Sequence, residues 1–301
     1  MPQQRQGVLF ALAAYTMWGI APLYFFAMKA VPADEILMHR ILWSFLLVLG
    51  LVLLQGQWGQ IRQLLKQPKK LAILTVSALV IASNWLGFIW AISNERVIDA
   101  SLGYYINPLL NVALGMLVLK ERPGKLSLVA IAVAATGVVL QLIQYGSVPL
   151  LSLFLASTFA CYGLLRKRIQ LQAATGLLIE TALLLPLAVG YWYLLDTPTS
   201  NLANNSTTIN TLLLAAGVVT TLPLLAFSAA ATRIPFYLLG MLQYIGPTFM
   251  LLMALLVFNE PFKAEQTVTF GCIWAALVLM SIDAVLTAKR KRRERKLAAQ
   301  G

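Results

Sequence analysis

Arg40, His39 and Glu180 stand inside long apolar runs, ILMHRILWSFLLVLG around the first two and GLLIETALLLP around the third. A charge at the centre of a bilayer costs roughly 2.5–3.5 kcal/mol on insertion scales, so each such residue needs a partner or a use. Arginine stays charged and presents a planar fork that matches a carboxylate or phosphate, which makes Arg40 the candidate anchor for an anionic or zwitterionic solute. Its structural alternative is to snorkel to the headgroups or to tie helix ends together. Glu180 is the candidate proton or cation site, because a carboxyl in apolar surroundings can trade a proton. His39 is the only histidine and its unperturbed imidazole titrates near neutrality, although a lone histidine also serves as an ordinary satisfied polar group. Counting helix rise at about 1.5 Å per residue, Arg40 lies near one membrane face and Glu180 near the other, which argues against direct pairing.

Uncharged polar groups surround these positions in the sequence. Asn84, Asn107, Asn111 and Gln243 fall near mid-depth, where amides either bind a solute or join helices to one another. Pro108 and Pro247 each remove a backbone donor and release the carbonyl four residues earlier, on Tyr104 and Gln243. Both are candidate hinges, since a freed carbonyl at membrane depth is tolerated only beside protein or water. Trp18, Trp85, Tyr104, Tyr105 and Tyr244 can line an amphipathic cavity with flat apolar faces and polar edges. Trp43 and Trp58, close to segment ends, read as interface anchors.

Catalysis has no comparable support. One histidine excludes a His-pair zinc site, neither HExxH nor GxSxG occurs, and no Walker phosphate loop is present. No cofactor or metal is therefore expected. Cys161 and Cys272 sit within apolar runs and read as packing residues.

The elements that must position these residues are membrane helices. Of the 301 residues 59% are hydrophobic and 11% charged, with mean hydropathy +0.78, whereas a soluble domain carries about 25% charged residues. Runs long enough to span the hydrocarbon, about 20 residues each, are read at 7–26, 36–54, 71–91, 100–119, 126–143, 148–165, 176–195, 209–231, 236–258 and 268–286. The first reads as a retained helix, since a signal peptide has a shorter apolar region. The link DTPTSNLANNSTT (196–208) has the composition of a solvated loop.

Lysine and arginine collect on one side of this arrangement. Arg5, the groups Arg62–Lys70, Lys120–Lys125 and Arg166–Arg168, Arg233 and the tail KRKRRERK (289–296) face Lys29, Arg96 and Lys263 on the other. The positive-inside rule then places both termini in the cytoplasm. The polybasic tail, 287–301, is expected to meet anionic lipid headgroups rather than nucleic acid.

The chain also repeats itself. SLGYYINPLLNVALGMLVLKERP (101–123) aligns without gaps on GMLQYIGPTFMLLMALLVFNEPF (240–262), superposing Tyr105 on Tyr244, Pro108 on Pro247 and Glu121 on Glu260. Trp18-Gly19 similarly matches Tyr162-Gly163, and His39 falls on Glu180, whereas Arg40 falls on Thr181. The halves are thus 7–145 and 147–286. Five helices is an odd number, so the second copy enters from the opposite face, as in inverted-repeat carriers. The expected fold is an all-α membrane protein of ten transmembrane helices in two inverted five-helix repeats. Glu121 and Glu260, at corresponding helix ends, read as structural.

Trp18-Gly19, Pro32 before Arg40, and the Glu121/Glu260 pair resemble the EamA group of the drug/metabolite transporter superfamily. VPADEILMHRILWS (31–44), SLGYYINPL, LIETALLLP and QYIGPT more closely resemble the RarD family of bacterial inner-membrane permeases. The resemblance covers essentially the whole chain and implies a two-repeat permease with a central cavity. It accords with a secondary transporter exporting a small polar or amphipathic metabolite or drug by alternating access. A lipid flippase or channel on the same repeat is the alternative. Substrate, coupling ion, direction and oligomeric state are not specified by these residues.

Overall fold

The computed structural model describes residues 2–94, 96–257 and 264–298, of which the side chains of 2, 92–93, 97–99, 264–266 and 288–298 are not described. Every regular element among them is a helix: α1 (Pro2–Ala27), α2 (Ala33–Leu54), α3 (Trp58–Leu65), α4 (Pro68–Ser93), α5 (Val97–Leu117), α6 (Lys125–Tyr145), α7 (Leu150–Ile169), α8 (Ala173–Leu194), α9 (Thr207–Ala231), α10 (Phe236–Leu242), α11 (Ile245–Leu256) and α12 (Ala264–Ala298). Nine spans among the described residues are long and apolar enough to cross a membrane, with α10 and α11 counted together. The helix that falls short on hydropathy is α5, which carries Tyr104, Tyr105, Asn107, Pro108 and Asn111 in one stretch. Leucine, valine and aromatic side chains remain exposed along most of these helices, an apolar surface that suits lipid and not water. The chain is a multi-pass membrane protein.

Three readings of the sequence change. The link after α2 is not a plain loop, because Gly56 adopts φ +63 and reverses the chain into α3, where Ile61 and Leu64 are buried. Segment 196–206 is not a freely solvated loop either. Thr199 is buried, Leu202 packs against Met28, Val31 and Ile36, and Ser206 caps α9 by accepting from Ile209 N–H. Its polar residues bond inward: Asn205 donates to the Thr199 carbonyl and Asn210 to that of Leu202. Third, Pro108 lies within an unbroken α5, whereas the counterpart span is divided into α10 and α11 at Gln243 and Tyr244. There the Gln243 carbonyl accepts from Gly246 N–H at 2.9 Å in place of a helical partner. Glu260 and Lys263 lie outside the described residues, as do the side chains of the basic tail.

The helices interleave the two halves of the chain: α1 packs on α9 and α11, α2 on α8 and α9, α4 on α7, α5 on α7 and α10, and α6 on α12. Gly240 permits the α5–α10 crossing. A Cβ there would stand 2.7 Å from the Pro108 carbonyl oxygen and 2.8 Å from Cβ of Asn111.

Candidate functional site

Arg40 projects from α2 into the region where α1, α4 and α9 meet. Its guanidinium lies over the Trp85 ring at 4.9 Å and beside Phe25 at 5.8 Å, and its Nε donates to Thr220 Oγ1 at 2.8 Å. The Tyr24 and Tyr104 hydroxyls are within electrostatic range. Among the described residues no carboxylate lies at ion-pair distance from Arg40, and its Nη groups donate to none of them. A cation backed by an aromatic face and fixed through Nε alone keeps its fork available for a carboxylate or phosphate. The bond to Thr220 also ties α2 to α9, as the helix-joining alternative for Arg40 requires.

The other sequence candidates divide between helix joinery and this region. Trp85, buried, and Tyr104, which meets Phe88 edge to face, belong with Arg40. Trp18 packs among Tyr15, Phe159 and Phe227. Asn84 donates to the Leu155 carbonyl and to Thr158 Oγ1, both at 2.8 Å, joining α4 to α7. Asn107 donates to the Ala156 carbonyl at 2.6 Å, and Asn111 donates to Asn107 Oδ1 at 3.2 Å and to Gln243 Oε1 at 2.8 Å. This amide ladder runs from α7 through α5 to the break before α11. Tyr244 is buried and donates to the Tyr105 carbonyl at 3.3 Å, while the Tyr105 ring meets Phe270.

His39 does not join Arg40. One residue apart on a helix, the two diverge by about 100°, and His39 faces Trp192 on α8, fully buried. Trp43 donates to His39 Nδ1 at 3.0 Å, one turn along the same helix.

Glu180 is also fully buried, and its partners were not legible in the sequence. Ser77 donates to Oε1 at 2.6 Å and Arg166 lies 3.6 Å from the same oxygen. Arg166, expected in a basic link, is within α7 and 2% exposed; it donates to Ser228 Oγ and to the Ala173 carbonyl. Gly176 makes room for it, because a Cβ at that position would stand 1.9 Å from Arg166 Nη1. The signal available was the spacing: Gly176 lies one turn before Glu180, and the run LLRKRI offers a cation on a neighbouring helix end.

Glu121 behaves as a structural residue. Its two oxygens accept from the N–H groups of Phe236 and Tyr237 at 2.8 and 3.0 Å, at the start of α10. Lys167 completes the clamp, 3.6 Å from Glu121 and donating to the carbonyls of Ala231 and Ile234. A carboxylate thus meets the positive end of α10 and an ammonium the negative end of α9. A cleft of about 440 Å³ opens here, lined by Arg122, Thr232, Arg233 and these residues.

Comparison with known proteins places this architecture. Residues 5–143 match the model of the EamA-like transporter family. Protein RarD of Salmonella typhimurium (strain LT2) is 50% identical over 96% of this chain and 99% of its own. An uncharacterized transporter of Vibrio cholerae serotype O1 is 51% identical over 97% of each. A solved crystal structure, only 16% identical, shares the fold with a TM-score of 0.72 over 92% of this chain and 97% of its own. The chain is a membrane protein of the transporter class, and it belongs to the RarD family of EamA-like transporters.

Proposed function

We propose that this chain is a secondary transporter of the bacterial inner membrane that exports a small polar or amphipathic solute by alternating access, with Arg40 as the anchor for an anionic or zwitterionic group. The carrying observation is the arginine itself: a membrane-depth cation, stacked on Trp85, with no carboxylate partner among the described residues. Burying a charge without a partner is costly, so its retention suits a ligand that supplies the negative charge. Glu180, held by Arg166 and Ser77 toward the opposite end, is the candidate coupling group.

Helix directions support the inverted-repeat reading. Tyr15 bonds the Leu239 carbonyl, and Gly19 lies against Gly246, so α1 runs with α10 and α11. The contacts Tyr105–Tyr244, Asn111–Gln243 and Glu121–Phe236 run α5 against them. Gly103 near Ser152 and Asn107 at Ala156 run α7 with α5. It follows that α1 and α7, which open the two halves, point in opposite directions. The neighbours agree: exchanging each helix with its counterpart turns α1–α9 into α4–α7 and α1–α11 into α5–α7, and maps α2–α8 and α6–α12 onto themselves. Two such bodies can rock about a shared site.

The test is untargeted comparison of internal and external metabolites in deletion and overexpressing strains, followed by proteoliposome flux of the solutes that move, with and without a proton gradient. Arg40→Ala should abolish flux while leaving insertion intact, and Glu180→Gln should remove its pH dependence. Full flux through Arg40→Ala retires the anchor. A flippase or channel would instead move lipid analogues or conduct without saturation.

A further inference from the structure

The cleft of about 440 Å³ beside the Glu121 clamp brings three cations to one cavity, since Arg122, Lys167 and Arg233 all line it. It opens where α5, α7 and α9 end and α10 begins, and Lys120, Lys125 and Arg168 stand on the same helix ends and links. A concave surface lined by one sign of charge concentrates ions of the other.

The groups in the cleft are unequally engaged. Glu121 is the single carboxylate on its wall among the described residues, and its oxygens already accept from Phe236 and Tyr237 N–H. Lys167 lies 3.6 Å from it and donates to the carbonyls of Ala231 and Ile234, so the ammonium balances the carboxylate. Asp283, near Tyr237, accepts from Ser127. The two arginines remain uncompensated. Arg122 is exposed and forms no hydrogen bond or ion pair with the described residues. Arg233 donates from Nη1 to the Ala229 carbonyl at 2.8 Å and stands over the Phe10 ring at 5.3 Å, while its Nε and Nη2 donate to none of the described residues.

The donors and the level of the cleft select the ligand. Guanidinium forks match the paired oxygens of a phosphate. The spans ending at Ile169 and Ala231, and the one beginning at Phe236, put the cleft at a membrane face, the level at which a bilayer carries its phosphates. Below Arg233 the surface turns apolar, because Phe10 and its neighbour Leu9 on α1 are exposed. A phosphate tied to an acyl chain suits both surfaces; a bare phosphate suits the arginines alone.

We propose that the cleft between α7, α9 and α10 binds a phosphate-bearing anion, held by Arg122 and Arg233 and supplied either as the headgroup of an anionic phospholipid or as free phosphate. An anion gripped by both arginines bridges the α5–α6 link to the α9–α10 turn, the same two pieces that Glu121 joins. The site lies apart from the Arg40 region and stands whatever that region carries.

The full chain in a non-ionic detergent is given phosphatidylglycerol, phosphatidylcholine or inorganic phosphate at rising concentration, and bound molecules are counted by native mass spectrometry. Retention of phosphatidylglycerol over phosphatidylcholine assigns the site to a lipid headgroup; an adduct of inorganic phosphate without retained lipid assigns it to free phosphate. In either case Arg122→Gln should weaken retention about fivefold, the worth of one cation near an anionic surface, and Arg122→Gln/Arg233→Gln should weaken it further. Arg122→Gln changes an exposed side chain without described partners, so the fold is retained. The control is Arg62→Gln, which should bind as the parent chain does. Arg62 is an exposed arginine of α3 at the same end of the molecule, where Gln57 and Gln60 accept from Thr175 at the start of α8. Retention of neither anion, equal retention of phosphatidylcholine, or equal retention by Arg122→Gln and the parent chain overturns the proposal. So does a loss in Arg62→Gln as large as in Arg122→Gln, in favour of diffuse surface charge.

Discussion

The guanidinium of Arg166 lies 3.6 Å from the carboxylate of Glu180, and both side chains are sealed from solvent. Ser77 and Ser228 each add one hydrogen bond, while Arg166 Nη1 meets the carboxylate only at ion-pair distance and donates no hydrogen bond. A buried pair earns little stability as a pair, but removing one member strands the other, at about 3–5 kcal/mol. Arg166→Gln and Glu180→Gln should each lower the thermal midpoint of the detergent-solubilised protein markedly, and the double variant should recover part of the loss. Additive losses in the double variant would show that the two groups act independently.

Gly176 tests the same contact by geometry alone. Alanine is the better helix former by about 1 kcal/mol, so Gly176→Ala would stabilise α8 if nothing stood beside it. The added methyl would fall 1.9 Å from Arg166 Nη1, and the guanidinium must leave Glu180. The expected result is a destabilised protein whose further change to Gly176→Ala/Arg166→Met is less harmful than Arg166→Met in the parent chain, read as midpoints in the same melting assay.

The apolar periods made nearly all the long helices legible, because a bilayer demands that each span satisfy its own backbone. What composition did not carry is whatever depends on side chains meeting across the fold. Arg166 looked like one cation among three in a basic link, and only the void over Gly176 brings it inside. Segment 196–206 looked solvated because asparagine and threonine usually face water, whereas here they bond one another and Glu35. Proline was an ambiguous signal: α5 runs through Pro108, and the counterpart span opens before Pro247, where Gly246 lends its N–H to Gln243. Arg40 stood out in the sequence as a charge needing explanation, but its contacts with Trp85 and Thr220 required α4 and α9 to be in place.

Glu121 clamps the α9–α10 turn from one side and Lys167 from the other. Glu121→Gln keeps one acceptor and loses the charge, and should cost about 1–2 kcal/mol on the scale of helix-capping losses. Lys167→Met should cost less, since two carbonyls at a helix end can turn to water in the adjacent cleft. Limited proteolysis near Arg233 offers a local readout. Cleavage there should rise in both variants, and more in Glu121→Gln; equal and unchanged cleavage would mean that the clamp does not hold the turn.

Asn111 sits in the middle of the amide ladder and donates in both directions, to Asn107 and to Gln243. Its own Oδ1 accepts from nothing, so the residue is present as a donor. Asn111→Asp keeps the shape and removes the donors, setting three acceptors against one another. Asn111→Leu removes the polar group and leaves Gln243 Oε1 without a donor at the break between α10 and α11. Hydrogen bonds between membrane helices average about 0.6 kcal/mol, with the strongest near 1.7 kcal/mol, and the aspartate should exceed that range because it adds repulsion to loss. Gln243→Leu in the Asn111→Leu background removes the stranded acceptor and should restore part of the stability. A double-mutant cycle on these two positions, read from unfolding in mixed micelles, measures the coupling. A coupling indistinguishable from zero would mean that α5 and the broken span are held instead by the close packing at Gly240 and the bond from Tyr244 to the Tyr105 carbonyl.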